Sequence, residues 1–459
     1  MRLNISHSII TIIFFSLLTF TLNAQIAREK QAIIQKAFPK NNANGAPAND
    51  STGGVWPEFG DLFFEKNGKQ YWLATYTQIT GPTREFYRLF ELRLDSGDLK
   101  EVTQEMLGGY FDVEGINPPY YYEDIDNDGI KDILIIDHGK EADPDFRKWK
   151  TFNVYFKGTS VGFKKIEITG LTDIKAYYHG HAVADFDNDG WPDIYKAGNG
   201  AISVNRNLLT STSATITASQ FSAPTNYTVS GDVRTITTAD IDSDGKLDII
   251  TGSSSGISIL RNTSTSGTIS FATAVNISTV TTNIKVADFD LDGKLDIASV
   301  NDGTLNIFDN TSTSSISFSS AITTNLSSTG FTGIDIGDLN NDGKIDLIAT
   351  KNGASTDVIV NNSTVNTLSL SNSFTISDGT FYPIIDDLDK DGILDIYTWN
   401  KFFKNNYSTG TLSSTNFTAY TSSLVNEGGL GISAPDFNAD GYPEILLGAW
   451  WSQFWIYRN

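Results

Sequence analysis

The chain has no cysteine, two methionines and four histidines among its 459 residues. Without cysteine there is no disulfide to staple the fold, no thiol nucleophile, and no N-terminal cysteine to carry a lipid. One histidine, His7, lies close to the N-terminus, and no HExxH string occurs, which leaves little for catalysis to work with. Cations are scarce too: 33 Lys and Arg stand against 54 Asp and Glu, a net charge of −21. With no basic patch, nucleic acid is excluded as a partner. The long apolar run a membrane span needs is also missing. Ile9 to Leu22 is apolar or hydroxylated throughout, but a bilayer takes about 20 residues. Preceded by Arg2 and followed by Asn23, Ala24 and Gln25, that run predicts a signal peptide, residues 1–24, cleaved after Ala24. The expected location is secreted, periplasmic or at the cell surface, with no membrane span after cleavage.

What the chain has instead is a nine-residue phrase written seven times: DIDNDGIKD from Asp124, DFDNDGWPD from Asp185, DIDSDGKLD from Asp240, DFDLDGKLD from Asp288, DLNNDGKID from Asp338, DLDKDGILD from Asp387 and DFNADGYPE from Asp436. Successive copies start 48 to 61 residues apart, a period that belongs to propellers, solenoids and arrays. Alternating acids followed by glycine make a calcium loop, because a hard cation wants six to eight oxygens and the chain must wrap tightly to supply them. Glycine at position six permits the positive φ of that wrap.

The candidate ligands, at positions one, three, five and nine, are Asp124, Asp126, Asp128 and Asp132; Asp185, Asp187, Asp189 and Asp193; Asp240, Asp242, Asp244 and Asp248; Asp288, Asp290, Asp292 and Asp296; Asp338, Asn340, Asp342 and Asp346; Asp387, Asp389, Asp391 and Asp395; and Asp436, Asn438, Asp440 and Glu444. Up to seven Ca²⁺ ions are expected. The fifth and seventh loops, with Asn340, Asn438 and Glu444, should bind most weakly. About half of the acidic residues lie at these positions, and seven bound Ca²⁺ ions would offset most of the net negative charge. An EF-hand starts the same way but closes with Glu at position twelve, where this chain has Ile135, Lys196, Thr251, Ser299, Ala349, Thr398 and Leu447.

A large apolar residue always occupies position two, and a short β-branched run follows each loop, such as Ile133 to Ile136 or Ile249 to Thr251. Each loop therefore reads as a turn between two strands, one side anchored in a core. With the stretches between loops, the pattern gives four strands in about 50 residues, one propeller blade. The chain resembles the FG-GAP and VCBS repeat family, calcium-loop propellers that include the head of integrin α subunits and many secreted bacterial proteins. The resemblance covers residues 110 to 459. It implies that the metal loop joins the first and second strands of a blade, on the face opposite the usual ligand face.

The expected fold is all-β, a seven-bladed β-propeller with four-stranded antiparallel blades and DxDxDGxxD calcium loops. Only two strands follow the last loop, so a missing strand must come from residues 55–110. There, hairpins turning at Asn67 and Gly68 and at Ser96 and Gly97 are expected. Either an N-terminal strand closes blade seven, or the segment forms an eighth blade without a metal loop. Residues 25–54 read as a short helix, Ala27 to Phe38, and a polar linker. The propeller then occupies 55–459, with its seven repeats in 111–459.

Function beyond metal binding must come from loops on the scaffold. Blades three to five have plain connections after their second strands, whereas blade one has an insertion from Asp137 to Lys150. Trp149, Tyr177, Tyr178, His179, Trp399, Trp450 and Trp451 are expected to form an arc on the face away from calcium. Aromatic platforms with polar neighbours suit a glycan or protein ligand. The chain thus reads as a non-enzymatic binding or adhesion module whose oligomeric state the sequence leaves open. The alternative is a calcium-dependent polysaccharide lyase, with a base among His138, Lys140, Arg147 and Tyr178. His181 precedes its loop where other blades place Ile236, Ile284, Ile334 and Ile432, which makes it a packed strand residue.

Overall fold

A computed structural model of the chain describes residues 55–457 apart from 57–61, 79–83, 94–97, 110, 115–119, 137–152, 169–179, 199, 213–216, 328, 352–354, 378–382, 399–400, 422–428, 434–444 and 450–452. The signal peptide, the 25–54 segment, the seventh loop and all seven residues of the aromatic arc lie outside the described residues, as do His138, Lys140 and Arg147.

The regular structure of the described residues is almost entirely strand, with one short α-helix, α1 (Thr103–Leu107), that stops at Gly108. Seven antiparallel meanders follow one another at 120–168, 180–228, 233–277, 283–325, 331–377, 384–421 and 429–457. The first six have four strands each and the seventh has three. Sheet three shows the pattern: Val233–Ala239, Asp248–Ser253, Gly256–Leu260 and Val275–Ile277, each paired to the next. First strands of successive sheets lie against one another from sheet two to sheet six. The first strand is therefore innermost and the sheets radiate outward, as in a β-propeller.

Burial explains why these runs became strands. The second strands Asp193–Gly198 and Asp248–Ser253 are buried along their whole length, so both faces pack against neighbouring sheets and the run reads as continuously apolar. Clusters such as Ile241, Ile250, Ile259, Ile297 and Phe308 join sheets three and four. His181 pairs with Lys196 at the place where Ile236 pairs with Thr251 and Ile284 with Ser299.

Residues 55–114 form a sheet of their own with six strands, in which Leu62–Lys66, Lys69–Gln78, Arg84–Arg93 and Asp98–Glu101 run as a meander. The hairpin at Asn67 and Gly68 forms as expected, both residues having positive φ. None of its strands, among the described residues, pairs with the seventh meander, the pairing that a closing strand would make. Among the described residues, Gln453–Tyr457 pairs only with Ile445–Ala449. The N-terminal sheet packs on sheet one through Phe64, Tyr71, Leu73, Leu89, Ile133, Phe156 and Phe163.

Candidate metal centres

Each described loop joins the first and second strands of its sheet, and six copies share one hydrogen-bond pattern. The carboxylate at position one accepts from the backbone N–H of position five and of the position-six glycine, at 2.8–3.1 Å in every copy. This is an Asx-type wrap, which aspartate forms readily and glutamate is too long to copy. The glycine is required by φ: Gly129 has +85°, and a Cβ there would meet no neighbour. Position two is the anchor, with Ile125, Phe186, Ile241, Phe289 and Leu339 fully buried and Leu388 nearly so.

The closing aspartate is buried and held from two sides. Its one oxygen accepts from the N–H of position two at 2.9–3.0 Å in the first five loops. Its other oxygen accepts at 2.7–2.8 Å from the backbone N–H of an asparagine at or just beyond the end of the third strand of the same sheet: Asn207, Asn262, Asn310, Asn361 or Asn405. In sheet one Gly158 and the Tyr155 hydroxyl replace it, donating to Asp132 at 2.6 and 2.7 Å.

These asparagines are the functional residues that the sequence reading missed. Each side-chain amide donates to the position-two carbonyl of the preceding sheet's loop: Asn207 to Ile125, Asn262 to Phe186, Asn310 to Ile241, Asn361 to Phe289 and Asn405 to Leu339, at 2.7–3.1 Å. One residue thus latches the loop of its own sheet to that of its neighbour. The recurring Asn at the end of the third strand, as in RNTSTSG and DNTSTSS, was the available signal.

Positions one, three and nine converge in five loops, with ligand oxygens within 4.8 Å of one another in loops one to four and six. The fifth has Asn340 at position three, so Asp338 and Asp346 are its carboxylates there. Position five is turned differently. One oxygen accepts from the N–H of position seven at 2.8–3.1 Å, and the other faces a basic side chain: Lys157, Arg206 or Arg261 from the end of the third strand, Lys404 within it, or the loop's own Lys294 or Lys344.

A cation fits what these residues leave unfinished. Asp126, Asp187 and Asp242 each have their Oδ1 buried with no hydrogen-bond partner, as has Asp395 its Oδ2. A buried, unpaired carboxylate oxygen costs several kcal/mol, roughly 2 or more, unless something positive meets it. Burial also pushes the closing carboxyls up, Asp132 and Asp248 to about 6, Asp193, Asp296 and Asp346 to about 7, and Asp395 to about 8. Two or three carboxylates that converge in one loop, the closing one with its charged form disfavoured by burial, form a donor set for a hard divalent ion. Such an ion would be held by positions one, three and nine and would supply charge neutralisation and cross-linking.

Two GxSxG strings also occur, Gly158 to Gly162 and Gly252 to Gly256. Both lie at connections between antiparallel strands, not at the strand-to-helix elbow where a nucleophilic serine stands. No helix among the described residues is long and apolar enough to cross a membrane.

The sequence pattern of the FG-GAP-like repeat matches residues 124–196, 240–299, 288–349 and 338–398, about half of the chain. No curated protein matches it. Among solved structures, Saccharomyces cerevisiae Sqt1 is similar with a TM-score of 0.55 at 10% identity over 89% of this chain and 99% of that one. The exotype rhamnogalacturonan lyase YesX gives 0.51 at 15% identity over 93% and 75%. An Agrocybe aegerita lectin that recognises non-reducing terminal N-acetylglucosamine gives 0.43 at 15% identity over 71% and 81%. At these identities the likeness to Sqt1 and YesX is one of fold.

Proposed function

The chain belongs to the FG-GAP-like repeat family, and from that premise we propose that it is an exported, calcium-stabilised propeller acting as a non-enzymatic binding or adhesion module for a glycan or protein ligand. The observation that carries the calcium part is the unpaired, buried Oδ1 of Asp126, Asp187 and Asp242. Each of these aspartates converges with two further carboxylates of its loop. Loops of this kind bind at roughly 0.1–1 mM in extracellular modules, which suits a protein that leaves the cytosol.

The ligand is assigned to the face away from the loops, where Trp149, Tyr177, Tyr178, His179, Trp399, Trp450 and Trp451 supply aromatic platforms. Calcium in this reading is structural: it fixes the sheets whose opposite ends carry the platforms. A glycan array probed with and without EDTA tests both parts. Binding that EDTA abolishes and that Trp450→Ala with Trp451→Ala removes from a folded protein supports the reading. Unsaturated uronate accumulating from a pectic polymer would overturn it in favour of a lyase using His138, Lys140, Arg147 or Tyr178.

A further inference from the structure

The six described loops share one wrap but differ in the residue one place before the latch asparagine, or before Gly158, which stands in its place in sheet one. In sheets one, two, three and six that residue is basic. The Lys157 ammonium reaches Asp126 and also Asp128 Oδ2 at 2.7 Å. Arg206 holds Asp187 at 2.5 Å and pairs with Asp189, Arg261 pairs with Asp242 and holds Asp244 at 3.1 Å, and Lys404 pairs with Asp389 and holds Asp391 at 2.9 Å. Each grips the outer oxygens of positions three and five, and in loops one to three it leaves the inner oxygen of position three unpaired.

Sheets four and five break the pattern. Asn310 makes the same latch bonds as Asn262, so Asp309 occupies the place of Arg261. Likewise Val360 precedes Asn361. Asp309 stands beside its loop, since the Lys294 ammonium donates to the carbonyl of the adjoining Asn310 at 3.3 Å. Lys294 pairs with one loop carboxylate, Asp292, at 2.8 Å, and its side chain is 35% exposed. Water and salt therefore screen it well. Loop five has no acid at position three and no clamp.

We propose that the residue before the latch asparagine ranks the loops for divalent ions, and that Asp309 makes loop four the first to fill. The ranking rests on the calcium reading above and adds to it. A unit positive charge about 6 Å from a doubly charged ion weakens binding on the order of tenfold even at the dielectric constant of water. Replacing that charge with a negative one doubles the change, so loop four is favoured over loops one, two, three and six on the order of a hundredfold. The basic clamps have the converse use. They neutralise and hold two carboxylates when calcium is low, so their sheets depend less on the ion.

The test is a Ca²⁺ titration of the full chain followed by hydrogen exchange and mass spectrometry, with one peptide per loop. The expected result is protection of Asp288–Asp296 at about a hundredfold lower Ca²⁺ than the peptides of loops one, two, three and six. Asp309→Arg should raise the loop-four midpoint to that of the clamped loops, and Arg261→Asp should lower the loop-three midpoint about a hundredfold, the other loops staying in place. Asp309→Asn, the gentler change, should raise the loop-four midpoint about tenfold if the arginine variant does not fold. Loops that fill without this order, or an Asp309→Asn midpoint equal to the parent's, overturn the ranking alone. A chain in which no loop responds to Ca²⁺ overturns the calcium reading as well.

Discussion

The N-terminal sheet and sheet three are both antiparallel meanders, yet they are fixed to their neighbours by opposite chemistries. The first turns at Asn67 and Gly68 with no acid cluster and packs on sheet one by aromatic contact. Phe64 lies 4.5 Å from Tyr122 and meets Phe163 edge-on at 5.7 Å. Sheet three also packs apolar residues, but it adds a polar joint: Asn262 ties Asp248 of its own loop to the Phe186 carbonyl of loop two, beside carboxylates gathered for an ion. The comparison teaches that a propeller can join its sheets either by burying apolar area, which works in any medium, or by a joint that is complete only where a cation is supplied.

Removing the cation should separate the two regions most. At 10 to 100 times the dissociation constant, a bound ion contributes about 1.4–2.7 kcal/mol per loop, and several loops fill together. Excess EDTA should therefore produce the largest fall in melting temperature. Hydrogen exchange should show the fall in residues 180–421 while Leu62–Lys66 and Lys69–Gln78 keep their protection. Equal loss in both regions would dissolve the distinction.

Phe64→Ala attacks the apolar joint. A buried phenylalanine truncated to alanine costs about 3–5 kcal/mol, and Phe64 is 5% exposed within its cluster. The cost should be the same with and without Ca²⁺ by chemical denaturation. Asn262→Ala attacks the polar joint and should cost slightly less, about 2–4 kcal/mol. It removes bonds to Phe186 and Leu247 at 2.8 and 3.0 Å and one from Ser264 at 2.8 Å, leaving buried polar groups unpaired. Unlike the phenylalanine change, it should also lower Ca²⁺ affinity at both loops two and three, since the latch spans them. A loss of stability with unchanged affinity would make the asparagine a packing residue only.

The two joints were not equally legible in the chain. The loops declared themselves because their ligands are contiguous: Asp240, Asp242, Asp244, Gly245 and Asp248 sit within nine residues, and the apolar Ile241 announced a buried anchor. The Asn67–Gly68 turn was legible for the same reason. The latch was not, because Asn262 lies 14 residues beyond Asp248 and its other partner, Phe186, is 76 residues away in another sheet. Polar residues such as Asn262, Thr263 and Ser264 read as loop composition until the neighbouring sheet supplies their acceptors. Whether residues 55–114 would close a blade or form one turned on pairing at long range, which local pattern does not encode. Arg206 and Arg261 looked like ordinary surface charge for the same reason.

The smallest expected effect lies inside the loops themselves, at position four, where every described copy adopts a left-handed backbone. Asn127, Asn188 and Asn341 suit that conformation, with φ of 49°, 52° and 52°. Each also donates its amide to the glycine carbonyl of the next loop, Gly190, Gly245 or Gly392. Loop four has Leu291 instead, with φ of 61° and a side chain 38% exposed. A leucine there carries the strain of an L-residue in the left-handed region and offers no donor toward loop five. Leu291→Asn should relieve part of that strain and extend the loop-to-loop bonding to Gly343, a gain of about 0.5–1 kcal/mol. Denaturant unfolding in Ca²⁺ should move to a higher midpoint with unchanged slope. A lower midpoint would mean that the leucine side chain makes a contact worth more than the strain it imposes.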